Sequence, residues 1–171
     1  MENQVLSTTD TEKDVRVVFD SCLNFDSHIY NTINKATRVI GIIFRSFTSI
    51  DAYMFVVLYK SIIRPTLEYG NLIWSPLFKR QSILIENVQR RATKLLQNLV
   101  TMSYEERLTF LKLPSLKYRR KRGDLIQLYK LVHGVDNIDH TLFFEFSPVT
   151  FTRGDNFNIF ITRCSTSIRK N

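Results

Sequence analysis

Residues 29–47 read IYNTINKATRVIGIIFRSF, and the spacing of the apolar side chains in this stretch decides the fold class. Apolar residues return alternately three and four positions apart, which places them on one narrow face of an α-helix. That face consists of Ile29, Ile33, Ala36, Ile40, Ile43 and Phe47. Arg38 and Arg45 fall almost opposite it. The stretch therefore predicts an amphipathic helix with one buried side.

Two further helices are predicted between this stretch and residue 99. Asp51 can cap a second helix, and Pro65 should kink or end it because proline lacks a backbone N–H. Gly70 and the segment 74–76 then form a connection. The apolar stripe of the second helix is Phe55, Leu58, Tyr59 and Ile62. The third helix runs from about Arg80 to Leu99, and its predicted core face is Leu84, Val88, Ala92, Leu95 and Leu99.

Capping signals predict two more helices. Ser103 and Glu106 fit a capping box that starts a short helix, which ends near Leu113 and Pro114. Ser115 can cap the last helix, and Gly134 can stop it. The predicted apolar face of this last helix is Tyr118, Leu125, Tyr129 and Val132.

The β signals are weaker. Asp14–Asp20 (DVRVVFD) predicts a short strand with no neighbour along the chain to pair with. Leu142–Phe146 and Phe157–Ile161 alternate loosely around the turn signal 153–156, which indicates a weak hairpin. The sequence thus predicts a mainly α fold, a bundle of about five helices with a short N-terminal strand and a weak C-terminal β-hairpin.

Composition favours an anionic partner without specifying it. The 171 residues include 24 Lys and Arg against 16 Asp and Glu, which gives a net charge of +8. Basic proteins bind polyanions because the contacts release condensed counterions. Many soluble proteins are mildly basic, however, so the placement of the charge has to decide.

Targeting signals and metal motifs are missing from the sequence. Cys22 and Cys164 have no CxxC spacing, which favours a reducing compartment over a disulfide framework. The first ten residues do not resemble a signal peptide. The longest apolar runs, Val39–Phe44 and Tyr53–Tyr59, are far shorter than the roughly 20 residues that span a bilayer. We expect an intracellular protein, cytoplasmic or nuclear, with no membrane partner.

A first basic cluster lies on the predicted third helix, beside its apolar face. Helical spacing brings its members to one side of the helix. Either they bind an anion, or they form a solvated edge whose long stems cover the rim of the core. The cluster consists of Lys79, Arg80, Arg90, Arg91 and Lys94.

A second basic cluster lies in the first turns of the predicted last helix. Cations are disfavoured there because a helix N-terminus is already partly positive. A bound phosphate would satisfy both the cations and the free N–H groups. The alternatives are an internal ion-pair network, a contact with a missing domain and a localisation signal. The cluster consists of Lys117, Arg119, Arg120, Lys121 and Arg122.

Catalytic motifs are also missing. The aspartates are scattered rather than paired as two-metal catalysis requires. His28, His133 and His140 have no metal-ligand spacing, and the sequence contains no phosphate-binding glycine loop and no nucleophilic-serine motif. We expect no catalytic residues, no metal and no cofactor.

Five colinear segments resemble a known family. They are EKDVRVVFDSCLNFDSHI (12–29), LYKSIIRPTLEYGNLIWSP (58–76), IENVQRRATKLL (85–96), SYEERL…LKLPSLKYRRKRGDLIQLYKLVHG (103–134) and TRGDNFNIF (152–160). Together they resemble the region downstream of the catalytic palm in reverse transcriptases of non-LTR retrotransposons of the jockey-like type. The resemblance covers roughly residues 12–171. One departure is visible, since related sequences usually read Lys-Asp-Leu-Gly where this chain has Lys13-Asp14-Val15-Arg16.

The resemblance implies a part of an RNA-directed DNA polymerase that lacks the catalytic aspartates. The strand would be the last palm-side strand, and the helices would form the thumb that holds the primer–template duplex. The implied partners are RNA or an RNA–DNA hybrid and the missing palm and fingers of the enzyme. Residues 1–13 are then expected to be a disordered or truncated edge, 14–134 a strand plus helical thumb-like domain, and 135–171 an irregular or β tail that is truncated.

Two other functions are compatible with the same residues. The chain can be a helical protein-interaction domain whose basic clusters bind acidic partners. It can also be a pseudogene relic without a selected function.

Overall fold

The computed structural model describes residues 9–147 and 157–160, and it confirms the mainly helical fold class. Two compact units divide the chain, residues 1–123 and residues 124–171. The α-helices are α1 (Asp26–Ser46), α2 (Ala52–Leu58), α3 (Arg64–Glu68), α4 (Asn71–Trp74), α5 (Lys79–Lys94), α6 (Tyr104–Leu111) and α7 (Leu116–Val132). None of the helices in the described ranges combines the length and the apolar character that crossing a bilayer demands.

The prediction of one lone strand at Asp14–Asp20 is wrong. The structure has an antiparallel hairpin of β1 (Thr11–Asp14) and β2 (Val17–Asp20). Val15 and Arg16 form the two-residue turn, both with positive φ angles, of 43° and 66°. Positive φ at both central residues is typical of a type I′ turn, whose twist matches that of the paired strands. The β-branched and aromatic residues of β2 indicate a strand in the sequence, whereas its polar partner strand gives no such signal.

The core of the first unit forms around α1, which lies against α3 and α5. Five of the six residues of the predicted α1 face are buried, and Phe47, the residue after the helix, is 36% exposed. The hairpin contributes Val17 to this core, and Trp74 is completely buried with its indole N–H donating to the Tyr69 carbonyl at 2.6 Å. The apolar pattern of residues 29–47 thus predicted the central helix correctly.

Pro65 does not end the second predicted helix. Asp51 caps α2 as expected, its carboxylate accepting the Met54 N–H at 2.7 Å. A π-helical turn (Tyr59–Ile63) follows, and α3 begins at Arg64 with Pro65 in its first turn. Residues 52–68 form one uninterrupted helical run, and in the π-helical turn before Pro65 the Arg64 N–H donates to the Tyr59 carbonyl, five positions back. The predicted connection after Gly70 also contains a short helix, α4.

The third helix is shorter than predicted. It ends at Lys94, and a 3₁₀ turn (Gln97–Leu99) follows, which leaves Leu95 49% exposed instead of buried. The capping box at Ser103 and Glu106 is confirmed, with both reciprocal hydrogen bonds present. Lys112 ends α6 in the left-handed conformation.

The predicted apolar face of the last helix is not buried. Tyr118, Leu125 and Tyr129 are 60–66% exposed, whereas Leu116 and Arg120 are the buried members of α7 among the described residues. Gly134 ends the helix with a φ of 63°, as expected. The apolar periodicity therefore predicted the length of α7 but not which of its faces is buried.

In the second unit, an antiparallel bridge joins Phe146 to Ile159. Backbone hydrogen bonds flank it, from Ser147 N to Asn158 O at 2.6 Å and from Phe160 N to Glu145 O at 2.7 Å. This bridge agrees with the pairing predicted for the C-terminal hairpin. The predicted turn at 153–156 lies outside the described residues.

Candidate nucleic-acid interface

The first basic cluster forms one exposed face of α5. Lys79, Arg80, Arg90, Arg91 and Lys94 are all exposed. At about 100° per residue they fall within about 120° of the helix circumference, and they span about 22 Å along its axis. None of them lies within 4 Å of a carboxylate among the residues that the structure describes. The cluster is therefore a row of unneutralised cations.

The position of this row differs only in part from the sequence prediction, which placed it beside the apolar face. Three polar residues of α5 are buried, namely Gln81, Gln89 and Thr93, and they widen the buried side away from the cations. Hydrogen bonds offset part of the cost of this burial, since the Gln81 amide donates to Asp26 at 2.8 Å and the Gln89 amide donates to the Pro114 carbonyl at 3.1 Å, while Gln89 Oε1 has no partner among the described residues. Lys79, Arg80 and Arg90 consequently point away from the core, whereas Arg91 and Lys94 lie beside the core residue Val88 at a groove between α1 and α5.

An aromatic ring holds Arg90 in place. The Arg90 guanidinium lies 4.5 Å from the centre of the Tyr104 ring, a cation–π distance. Burial, together with the neighbouring Glu86 carboxylate, raises the pKa of the Tyr104 hydroxyl, which donates its hydrogen bond to Glu86. The network Glu86–Tyr104–Arg90 thus restricts one of the five cations before any ligand arrives.

Arg107 adds a second positive charge near the same ring. It is 4% exposed, and its guanidinium lies 5.8 Å from the centre of Tyr104. Its hydrogen bonds go to neutral acceptors: the Thr93 hydroxyl at 3.2 Å, the Met102 carbonyl at 2.7 Å and the Arg90 carbonyl at 3.4 Å. A buried cation with neutral partners makes the potential above it more positive.

The second basic cluster is only partly available to a ligand. Arg119 pairs with Glu68 through two hydrogen bonds, of which the one from Nη2 is 2.8 Å long. These bonds raise the pKa of Arg119 above its usual value. Arg120 is 5% exposed and donates to the Ser82 hydroxyl at 2.8 Å. Arg119 therefore forms an internal ion pair, Arg120 is buried against a neutral hydroxyl, and Lys117, Lys121 and Arg122 are exposed.

The free helix N-terminus expected at this cluster is already occupied. The Glu86 carboxylate accepts the N–H groups of Leu116 at 3.2 Å and Lys117 at 3.0 Å. Ser115 accepts the Tyr118 N–H at 3.1 Å, as predicted. A carboxylate from α5 thus takes the place that the sequence had suggested for a phosphate.

Sequence reasoning missed four residues that shape this interface. Glu68, Glu86, Tyr104 and Arg107 come from three different helices, and each acts across a long chain separation. Their local sequence gave no signal except that Tyr104 opens the α6 capping box. In the described ranges, no three His, Cys, Asp or Glu side chains come together as a metal ion would require.

Comparison with known proteins finds a distant similarity that does not indicate a function. No protein-family model matches the chain, and no solved structure is significantly similar to it. The chain is similar to Uncharacterized protein B0403.1 of Caenorhabditis elegans, with 25% identity over 125 residues. The match covers 71% of this chain and 61% of the nematode protein, so the chain spans about three fifths of that protein's length. The name of that relative states no activity, and the function has to be argued from the geometry.

Proposed function

We propose that this chain binds the backbone of nucleic acid without sequence specificity, as the thumb-like part of a non-LTR retrotransposon reverse transcriptase. The observation that carries the proposal is the exposed row of five cations on α5. The chain itself is expected to be non-catalytic and to act inside the cell. Its ligand would be RNA or an RNA–DNA hybrid.

The row suits a phosphate backbone better than a single small anion. It extends about 22 Å, which is long enough to meet several successive phosphates. A-form duplexes are recognised largely through backbone and shape, because their deep groove is too narrow for side chains to read. An arginine side chain that is already held against an aromatic ring loses little conformational freedom when it binds a phosphate. Arg90 on Tyr104 meets that description.

A salt titration tests the proposal. Binding of an RNA–DNA hybrid of random sequence is measured between roughly 50 and 300 mM salt, and log affinity should fall linearly with log salt. The triple variant Arg90→Ala, Arg91→Ala, Lys94→Ala should make the plot of log affinity against log salt less steep, reducing the magnitude of its slope by about two to three. The control removes three exposed cations from other elements (Lys13→Ala, Lys35→Ala, Lys60→Ala) and should change the slope by less than about one.

Two outcomes would contradict the proposal. The first is no binding at roughly 50 mM salt, where non-specific contacts are strong. The second is an equal loss of slope in both triple variants, which would mean that net charge and not the α5 face is responsible. Displacement from an acidic polypeptide with indifference to the hybrid would favour the protein-interaction alternative.

A further inference from the structure

A cavity of about 510 Å³ opens where α1 and α5 end. Its walls come from the loop after α1 and from the 3₁₀ segment after α5, both within the first unit. Aromatic side chains line part of it, namely Phe44, Phe47 and Phe110. Hydroxyl and amide side chains line another part: Thr48, Ser49, Gln97 and Asn98. We call it the loop cavity.

A groove of about 380 Å³ adjoins the loop cavity. It runs between α1 and α5, with Thr37, Ile40 and Gly41 on one side and Val88, Arg91 and Lys94 on the other. Leu95 lines both the groove and the loop cavity, so the two are direct neighbours. Because Gly41 has no side chain, the wall that α1 contributes to this α1–α5 groove is shallow at this position.

Three cations lie in or beside the groove. Arg91 and Lys94 line the groove and belong to the exposed α5 row. Arg45 approaches from α1, with its Nη2 3.9 Å from the position that a Cβ on Gly41 would take. The carboxylate that lines the loop cavity, Asp51, already accepts the Met54 N–H at 2.7 Å. The cations at the groove and the carboxylate in the loop cavity therefore favour a ligand whose negative charge lies outside the loop cavity.

We propose that the loop cavity accepts an unpaired nucleobase, and that the strand carrying it lies along the α1–α5 groove with its phosphates at Arg45, Arg91 and Lys94. This inference rests on the proposed nucleic-acid binding and adds a single-stranded ligand to it. Proteins that hold single strands combine a cationic groove with aromatic side chains on which bases stack. The cavity volume lies within the range of small-ligand sites.

The wall chemistry matches a base better than an apolar side chain. Phe110 is 56% exposed and Phe47 36% exposed, so both present ring surface for stacking. The amides of Gln97 and Asn98 can donate to and accept from base edges, and so can the hydroxyls of Thr48 and Ser49. An apolar side chain would leave these polar groups desolvated without hydrogen bonds.

The experiment uses the full chain and an RNA–DNA hybrid with or without a single-stranded extension. Each nucleotide of the extension is replaced in turn by 2-aminopurine, whose fluorescence falls when it stacks on a ring. We expect the extended hybrid to bind more tightly than the blunt one and one position to be strongly quenched. Phe110→Ala should abolish this quenching and weaken binding of the extended hybrid roughly 5- to 100-fold.

Phe78→Ala is the matched control. Phe78 is 57% exposed, like Phe110, but it lies at the opposite end of α5. This variant should keep the quenching and change the affinity by less than twofold. The quenching measured on the unsubstituted chain tests the inference even if a variant folds poorly.

The outcomes separate this inference from the proposed function. Equal binding of blunt and extended hybrids, with no quenched position, would overturn the base site while the backbone-binding proposal stands. Equal effects of Phe110→Ala and Phe78→Ala would overturn it as well. Binding of neither hybrid would overturn both.

Discussion

At the scale of single residues, Arg16 occupies a backbone conformation that suits glycine. Its φ of 66° lies in the left-handed region, which costs a residue with a Cβ about 1–2 kcal/mol. Type I′ turns prefer glycine at this second central position.

We therefore predict that Arg16→Gly raises the free energy of unfolding by about 1 kcal/mol. Urea denaturation measures the change. Lys13→Gly is the control, because Lys13 lies in β1 and glycine within a strand costs about 0.5–1 kcal/mol. A destabilisation by both variants would contradict the turn assignment.

His28 makes the stability depend on pH. Its Nδ1 accepts the Val18 N–H at 3.2 Å, its Nε2 lies 3.4 Å from the Thr32 hydroxyl, and its ring lies 5.1 Å from that of Trp74. Burial lowers the pKa of His28 below its usual 6.5. Between the lowered folded value and 6.5, the unfolded chain binds the proton more readily. The free energy of unfolding should therefore fall as the pH falls through this window and level off below it.

Denaturation midpoints at about pH 7.5 and about pH 5 test this expectation. His28→Asn keeps an acceptor near Val18 and removes the titration, so its stability should change less between the two pH values. An equal pH dependence in both proteins would show that His28 is not responsible.

Arg119 and Arg122 lie three positions apart, yet their replacement should have different effects. The Arg119 and Glu68 side chains are only 29% and 21% exposed, and their hydrogen bonds are charge-assisted. We predict that Arg119→Ala lowers the free energy of unfolding by about 1–2 kcal/mol. The exposed Arg122→Ala should change it by less than about 0.5 kcal/mol and lower the salt dependence of binding instead. The reverse pattern would assign Arg119 to the ligand.

At the scale of elements, Glu86 connects three helices. Its carboxylate accepts the Tyr104 hydroxyl from α6 and two N–H groups from the start of α7. A negative charge at a helix N-terminus also interacts favourably with the helix dipole. Glu86 therefore stabilises the start of α7, and through Tyr104 it positions Arg90.

We predict that Glu86→Ala lowers the free energy of unfolding by roughly 2–4 kcal/mol, because several hydrogen bonds to one charge are lost together. Glu105→Ala, which removes an exposed acid of the neighbouring helix, should cost less than about 1 kcal/mol. Thermal unfolding followed by circular dichroism compares the two. Equal effects would mean that Glu86 acts only through net charge.

The elements also show how far the sequence could be read. Caps at Asp51, Ser103 and Gly134 were predictable because each acts within four residues of its own helix end. The burial of Gln89 was not predictable, since its side-chain amide donates to the carbonyl of Pro114, 25 positions away. The α5 cations were found by spacing alone, whereas the loop cavity forms from segments about 50 residues apart. Local chemistry sets helix ends, and long-range contacts decide which faces are buried.

At the scale of the whole molecule, the described core belongs to the first unit. Every buried apolar side chain within the described ranges lies between Val17 and Leu116, and the last buried polar residue is Arg120. The expected domain bounds of 14–134 remain a prediction, and the first compact unit ends at Gly123. Residues 135–147 and 157–160 are exposed or half-buried throughout.

We therefore predict that a chain ending at Gly134 unfolds cooperatively, with a free energy of unfolding within about 1 kcal/mol of that of the full chain. Exposed and half-buried residues contribute little apolar burial, which is the main stabilising term. Ending the chain at Leu111 instead removes Leu113, Leu116 and Arg120 from the core and should abolish the cooperative transition. Hybrid binding should survive the first truncation, because the α5 row is intact. A loss of cooperativity in the chain ending at Gly134 would mean that residues beyond 134 help to hold the helical unit together.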